Sequence, residues 1–475
     1  MIRTALAGAI ALLVGGCSLA PDFMKPETAV PASWSSANLT AAEDIPTDWW
    51  RTFEDPALVG LVDEALGANA DLQLAAARVA EARALLTGQQ AERYPLLEVE
   101  GAAVRQGPSE EAATSAASRG KPFTDLRVSS VLSYELDLWG RLANASEAAR
   151  ARLLASAANR EAVRLAVVGE VANGYFNLRA LDRQIEIAER TTASRGEAVT
   201  LQRNRFEGGD VDELTLRQAE AELAAAEAEL PALLQQRTLQ RNALAVLLGR
   251  SPQQIVERDI AVARPIDAID APANVPAGRP ADLIVRRPDI AAAEQEVVAT
   301  NAEIGVARAA FLPTVSFVSL LGLQSASAGD LFTGSASAWQ FGGALVGPLL
   351  DFGRAEALVD QAEARQRQAL VAYRGTIQIA FREVLDALEG FRRSEERLQA
   401  QSRQVAALRS AAELARERFA GGFSSYLEVL DAERGLFTVE LALAETQRNR
   451  LQSAVDLYRA LGGGWQGSLF EEAAR

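Results

Sequence analysis

"RFEGGDVDELTLRQAE" occupies Arg205–Glu220, and "RFAGGFSSYLEVLDAE" occupies Arg418–Glu433. The two phrases share their opening, their paired glycines and their closing acid, with Arg205 matched to Arg418 at an offset of 213. The same offset carries Gly140-Arg141 onto Gly353-Arg354, Glu170-Val171 onto Glu383-Val384, and Leu248-Gly249 onto Leu461-Gly462. Farther upstream Asp71 and Pro95 match Asp289 and Pro313 at an offset of 218. "LSYELDLWGR" (Leu132–Arg141) aligns with "VGPLLDFGR" (Val346–Arg354) with one gap. The chain is therefore two tandem units, and a period this long excludes a solenoid of short repeats.

Proline placement separates helix from the rest. None occurs from Phe123 to Leu230 or from Leu349 to the end, and both stretches are rich in Ala, Leu, Glu, Gln and Arg, all strong helix formers. Arg141 to Glu207 and Arg354 to Ala420 each read as one helix, about 100 Å long at 1.5 Å per residue. Helices of that length imply a coiled coil or helical tube. Leu398, Val405, Leu408, Ala412, Ala415 and Phe419 fall on one heptad seam, with Gln401 the polar exception. After Gly421-Gly422 the stripe is expected to continue through Leu427, Leu430, Phe437, Leu441, Ala444, Leu451, Val455 and Tyr458. Glycine just past a helix end supplies a left-handed cap, so each unit is expected to close in a long helical hairpin. Pro231 is expected to bend or interrupt the first returning helix.

Four stretches read as strands: Leu96 to Gln106, Thr124 to Tyr134, Thr314 to Leu323 and Ser337 to Val346. Each is close to the length of a tilted membrane strand, and polar loops, Gly107 to Lys121 and Gln324 to Ala336, join them in pairs. A small soluble sheet packed on helices would give the same signal. Geometry separates the two. A bilayer tolerates no open sheet edge, and four strands cannot close around a bore, so membrane strands here require partner chains. Three copies supply 12 strands and 12 hairpin helices around one axis. The expected fold is mixed and mainly α: a trimeric 12-stranded β-barrel, four strands per chain, continuous with a helical barrel.

Composition narrows the functions. The 475 residues carry a formal charge of −15 and no histidine. The charge opposes nucleic acid as a partner, and the missing histidine removes the commonest general base and metal ligand. No nucleophile elbow or phosphate loop is present, so an enzyme is not expected. The one cysteine, Cys17, follows Arg3, an apolar run from Thr4 to Val14 and two glycines. This is a secretory leader, too short to span a bilayer, and its end resembles a bacterial lipobox. On that resemblance residues 1–16 are the expected signal peptide and Cys17 the expected lipidated first residue; the alternative is an ordinary signal peptide with an incidental cysteine. Ser18 in place of aspartate resembles the signal for release to the outer membrane. No later run of about 18 apolar residues exists, so no helical span is expected.

Taken together, "CSLAPDF" (Cys17–Phe23), "DWWRTFEDPAL" (Asp48–Leu58), "YELDLWGR" (Tyr134–Arg141), "RRPDIAAAEQ" (Arg286–Gln295), "ARAAFLPTVSF" (Ala307–Phe317), "PLLDFGR" (Pro348–Arg354) and "YLEVLDAER" (Tyr426–Arg434) resemble the TolC-like outer-membrane efflux factors, specifically the NodT-type lipoprotein branch. The order and doubling of these motifs carry the resemblance, which covers nearly the whole mature chain. It implies a homotrimer in the outer membrane of a Gram-negative bacterium, lipid-anchored and reaching into the periplasm. It also implies a passive exit duct, loaded through a periplasmic adaptor by an inner-membrane pump of the resistance-nodulation-division type. Outer-membrane lipid is the other partner, and no cofactor is implied beyond the lipid on Cys17.

The resemblance also assigns residues. Leu427, Asp431 and Arg434 lie at i, i+4 and i+7 on one helical face; their repeat mates are the uncharged Leu214, Gln218 and Ala221. Periodicity alone reads Asp431 and Arg434 as a local helix ion pair, with Arg434 on the seam. The resemblance implies a gate, in which rings of Asp and Arg lie beside a ring of Leu. Gly208, Gly209, Asp210, Val211, Gly421, Gly422, Phe423 and Ser424 are implied adaptor-docking tips, although hairpin caps alone would explain the glycines. Ser424 is a candidate cap for the helix that follows. Asp137 and Asp351 read as helix starts. The expected domains are an N-terminal segment (17–59), a first repeat (60–250; strands within 96–134, helical hairpin 141–249), a linker (251–280), a second repeat (281–464; strands within 314–346, helical hairpin 354–462) and a tail (465–475). The competing function is a periplasmic coiled-coil adaptor or scaffold lipoprotein. Adaptors have a single hairpin in a nested arrangement, which two tandem copies oppose.

Overall fold

A computed structural model describes residues 18–26, 28–34, 45–109, 121–272 and 278–465. The leader, Cys17, part of each of the first strand loop and the linker, and the last ten residues lie outside the described residues.

The elements run α1 (Pro56–Ala68), α2 (Ala70–Ala91), β1 (Leu96–Gln106), β2 (Phe123–Leu136), α3 (Arg141–Glu207), α4 (Glu213–Leu247), α5 (Pro252–Glu257), α6 (Pro280–Arg286), α7 (Pro288–Arg308), β3 (Thr314–Ser325), β4 (Ser337–Val346), α8 (Arg354–Ala420) and α9 (Tyr426–Ala460). The two units superimpose in length: α3 and α8 have 67 residues each, and α4 and α9 have 35 each. The carboxylates expected at helix starts are there. Asp137 accepts the main-chain N–H groups of Leu142 and Ala143, and Asp351 those of Gly353 and Ala355.

The strands form one antiparallel sheet in the order β1-β2-β3-β4, with β1 and β4 as free edges within the chain. Register separates two faces. One carries Leu97, Val99, Leu126, Val128, Phe317, Leu321, Trp339, Phe341 and Leu345; the other carries Glu98, Glu100, Asp125, Arg127, Ser129, Glu135 and Gln324. Alternation of this kind marks strands between an apolar medium and a wet interior.

The heptad reading of α8 holds along its last turns. Leu398, Gln401, Val405, Leu408, Ala412, Ala415 and Phe419 are the residues withdrawn from solvent between 398 and 420. The stripe on α9 differs at its start. Tyr426 and Leu430 face inward with Glu433, whereas Leu427 is 58% exposed. The seam runs Tyr426, Leu430, Glu433, Phe437 at spacings of four, three and four, so the seam position is that of Glu433 and not Arg434. Glu433 meets Arg416 of α8 at 2.6 Å. Pro231 does not interrupt α4. It leaves the Glu227 carbonyl without its helical donor, but both residues are exposed, so water replaces the lost bond.

The main core lies where the N-terminal segment wraps the helices. Trp49 stacks on Tyr458 with centroids 5.0 Å apart. Asp55 caps α1 and accepts from the Tyr175 hydroxyl at 2.9 Å; burial and this carboxylate push the Tyr175 hydroxyl well above its ordinary range. Residues after α5 also enter the core, through Ile260, Ile266 and Ile269. Each returning helix ends on a matched node. Asn69 Nδ2 donates to the Leu247 carbonyl at 2.8 Å, and Arg287 Nη1 donates to the equivalent Ala460 carbonyl at 3.1 Å. Gly249 and Gly462 follow in left-handed conformation, at φ +70 and +92.

Candidate channel gate and hairpin tips

Both hairpin turns close by the same bond pattern. Gly209 N–H donates to Phe206 O and Asp210 N–H to Arg205 O; Gly422 N–H donates to Phe419 O and Phe423 N–H to Arg418 O. These are paired Schellman bonds, which require the left-handed residue that Gly209 (φ +81) and Gly422 (φ +76) supply. Gly208 and Gly421, just before them, are the C-cap residues of α3 and α8 and keep right-handed conformation. Val211 is half-buried beside the exposed Asp210. Asp212 then caps α4 through Thr215 N–H at 2.9 Å.

The second tip is built otherwise. Ser425, not Ser424, is the N-cap residue of α9, and it makes no side-chain capping bond. The Ser424 hydroxyl is buried without a hydrogen-bond partner. Phe423 is 78% exposed. Its ring lies over Gly421, where a Cβ would come within 2.9 Å of it. Behind the turns, Val199, Ala219, Tyr426, Val429 and Leu430 form an apolar cluster shared by the two hairpins. Burial, followed by the Glu433 carboxylate, pushes the Tyr426 hydroxyl up to about 12.

The helix ion pair between Asp431 and Arg434 does not form. Arg434 reaches across to Glu222 of α4 through Nε, at 3.1 Å, and Nη2. Glu222 also holds Arg195 of α3, whose Nη2 lies 3.3 Å from its other oxygen and whose Nη1 donates to the Glu222 carbonyl at 2.6 Å. The Arg195 side chain is 6% exposed and lies over the Phe437 ring. One carboxylate therefore ties α3, α4 and α9 together across the two hairpins. A second acid does the same higher up: Glu440, with its side chain 8% exposed, accepts from Arg190 of α3 at 2.6 Å and Arg409 of α8 at 2.7 Å. Within each hairpin, Arg203–Glu220 (3.1 Å) and Arg416–Glu433 (2.6 Å) are repeat mates. Leu427 and Asp431 share the exposed face of α9, with no hydrogen bond from the Asp431 side chain among the described residues.

Glu222, Arg195 and Glu440 were not singled out by sequence. A usable signal was present. At offset 213, Glu222 faces Gly435 and Arg195 faces Leu408, so each is a charge where its mate is small or apolar.

Residues 61–250 and 280–463 match the outer membrane efflux protein family. The chain belongs to that family. This outer membrane efflux protein is 36% identical over 462 residues to the solvent efflux pump outer membrane protein SrpC of Pseudomonas putida, a match covering 96% of this chain and 97% of that one. It is also 36% identical over 465 residues to the cation efflux system protein CusC of Escherichia coli K12, covering 96% and 98%. The CmeC outer membrane channel of Campylobacter jejuni shares its fold with a TM-score of 0.91 at 26% identity, over 97% of this chain and 98% of CmeC. The match of the fold extends over both units, the sheet and the N-terminal segment.

Proposed function

We propose that three copies of this chain form the outer-membrane exit duct of a tripartite efflux system, a passive conduit for small molecules. An inner-membrane pump of the resistance-nodulation-division type drives it through a periplasmic adaptor. The observation that carries this reading is the sheet. It has one apolar and one polar face and two unpaired edges, and it continues into helices of about 100 Å. Unpaired edges are not tolerated in a bilayer, and three sheets joined edge to edge remove them. Native mass spectrometry in detergent should give a trimer, and the purified protein should conduct in planar bilayers. A stable monomer with full strand content overturns the reading. SrpC and CusC, equally identical to this chain, are named for solvents and for cations, so identity alone does not select the cargo.

Leu427, Asp431 and Arg434 form the periplasmic gate. Leu427 and Asp431 face away from their own chain's seam, which suits a face turned toward the axis. Arg434 holds that face through Glu222. Asp431→Ala and Leu427→Ala should each raise single-channel conductance without any pump, while Gln218→Ala, at the uncharged repeat mate, should leave it unchanged. Equal changes at Gln218 and Asp431 would place the gate elsewhere. Gly208, Gly209, Asp210, Val211, Gly421, Gly422, Phe423 and Ser424 present the tips to the adaptor, with Phe423 the apolar residue that a partner would cover.

Cys17 carries the lipid anchor. The next residue is held at the top of the helices: Ser18 Oγ donates to Asn144 Oδ1 at 2.9 Å, Arg308 donates to the Leu19 carbonyl and Asn301 to the Pro21 carbonyl. Asn144 lies in the first turn of α3, next to the sheet. An acyl chain on Cys17 would enter the leaflet beside the strands. Mass spectrometry of the membrane-extracted chain should show a lipid-modified Cys17 as its first residue. An unmodified N-terminus at any other position defeats the assignment. Cys17→Ser should weaken anchoring without abolishing the trimer.

A further inference from the structure

Two of the contacts by which the first unit meets the second within the chain have counterparts that are left open. β2 pairs with β3, with Val131 opposite Leu320. At the joint below, the Trp139 indole N–H donates to the Pro313 carbonyl at 2.7 Å. The repeat mate of Trp139 is Phe352, and that of Pro313 is Pro95. In this chain Phe352 is 88% exposed and Pro95 is exposed. The neighbouring Leu349 and Leu350 are exposed as well. Phe352 also sits at φ +54, a conformation that aromatic residues adopt only where surrounding structure holds them.

Resting on the trimeric reading above, we infer that Phe352 packs on Pro95 of the next copy, and that β4 pairs there with β1 in a register fixed by the internal repeat, with Ala344 opposite Ala102. The register follows from two offsets. Moving β1 onto β3 by 218 and β2 onto β4 by 213 converts the pair Ala102–Arg127 into Leu320–Gln340, which is the pairing observed. The same two offsets convert Val131–Leu320 into Ala344 of one copy opposite Ala102 of the next. Face parity agrees independently. Ala102 shares the polar face with Glu98 and Glu100, and Ala344 pairs with Ser316, on that same face. A shift of one residue would set polar against apolar faces.

The two kinds of joint are not equivalent. Trp139 donates a hydrogen bond; Phe352 has no donor and supplies ring packing alone. Six joints around the axis would then alternate, three bonded within chains and three unbonded between them. The seam between copies is the weaker one, and loosening of the barrel base starts there.

The test uses full-length protein in outer membranes. Ala102→Cys with Ala344→Cys should oxidise to a covalent trimer that returns to monomer on reduction, with single-cysteine variants as controls for Cys17. Ala103→Cys with Ala344→Cys, on opposite faces, should not. Phe352→Ala should lower the temperature at which the trimer dissociates in mild detergent by 5 °C or more, and Phe352→Trp should raise it. Phe332→Ala, at another highly exposed aromatic in the β3–β4 loop, should leave it unchanged. A covalent trimer from the 103/344 pair in place of the 102/344 pair overturns the register. An unchanged dissociation temperature in Phe352→Ala overturns the aromatic seat. In both of those results the trimer survives, whereas a monomer in native mass spectrometry of the unaltered protein would instead remove the duct itself.

Discussion

Replacing Glu222 by alanine should open the periplasmic tip more than any substitution on the proposed gate face. The removed carboxylate holds two arginines from two other helices. Arg195 is almost fully buried, and leaving such a charge unpaired costs about 3–5 kcal/mol. Arg434 is 58% exposed on its side chain, so its own bridge contributes about 1 kcal/mol or less. The expected order of pump-free conductance is therefore Glu222→Ala above Arg434→Ala, with Asp431→Ala at or below the latter. Glu222→Gln keeps the size and two polar atoms, and should lie between Glu222→Ala and wild type. If Arg434→Ala opened the channel more than Glu222→Ala, Arg195 would not be part of the restraint.

Gly249→Ala and Gly462→Ala should each abolish assembly of folded protein, while Gly209→Ala and Gly422→Ala should be tolerated. All four residues have positive φ, at +70, +92, +81 and +76. Left-handed backbone alone costs a non-glycine residue about 1–2 kcal/mol. The difference is space. A Cβ at Gly249 would sit 2.0 Å from the Ala68 carbonyl oxygen, and one at Gly462 would sit 2.1 Å from the Arg286 carbonyl oxygen. These are main-chain atoms at the helix-capping nodes and cannot move without displacing α1 or α6. At Gly209 and Gly422 nothing lies within 4 Å. Trimer yield from outer membranes reads the contrast, and equal loss at all four positions would show that conformation, not crowding, decides.

The long helices and four strands were legible because they repeat. Two copies of every boundary signal constrain each other, and the Gly-Arg joints and Gly-Gly turns mark helix ends that the structure reproduces. The start of α9 was not legible. Tyr426 and Leu427 are adjacent and both apolar, and periodicity offers two stripes about 100° apart. The choice depends on what lies across the interface, where Val199 and Ala219 take Tyr426 and Leu430. The partner of Arg434 was hidden for the same reason. Heptad position says which way a side chain faces, not which helix meets it, and Glu222 is 212 residues away. Pro231 does not interrupt α4 because the Glu227 carbonyl that it leaves without a donor lies on an exposed side of the helix, which sequence position alone did not show.

Equal helix lengths in the two units make the reach of the molecule a heritable quantity with discrete values. An insertion of one residue in α3 alone would rotate its far end by about 100° and slide it about 1.5 Å past α8, unlevelling the tips and parting Glu222 from Arg434. Seven residues added to both limbs of both hairpins would instead preserve every seam and lengthen the whole by about 10 Å. Homologous ducts that span envelopes of different thickness should differ by such quartets of heptads, and single-residue length polymorphism should be confined to the strand loops, the linker and the termini.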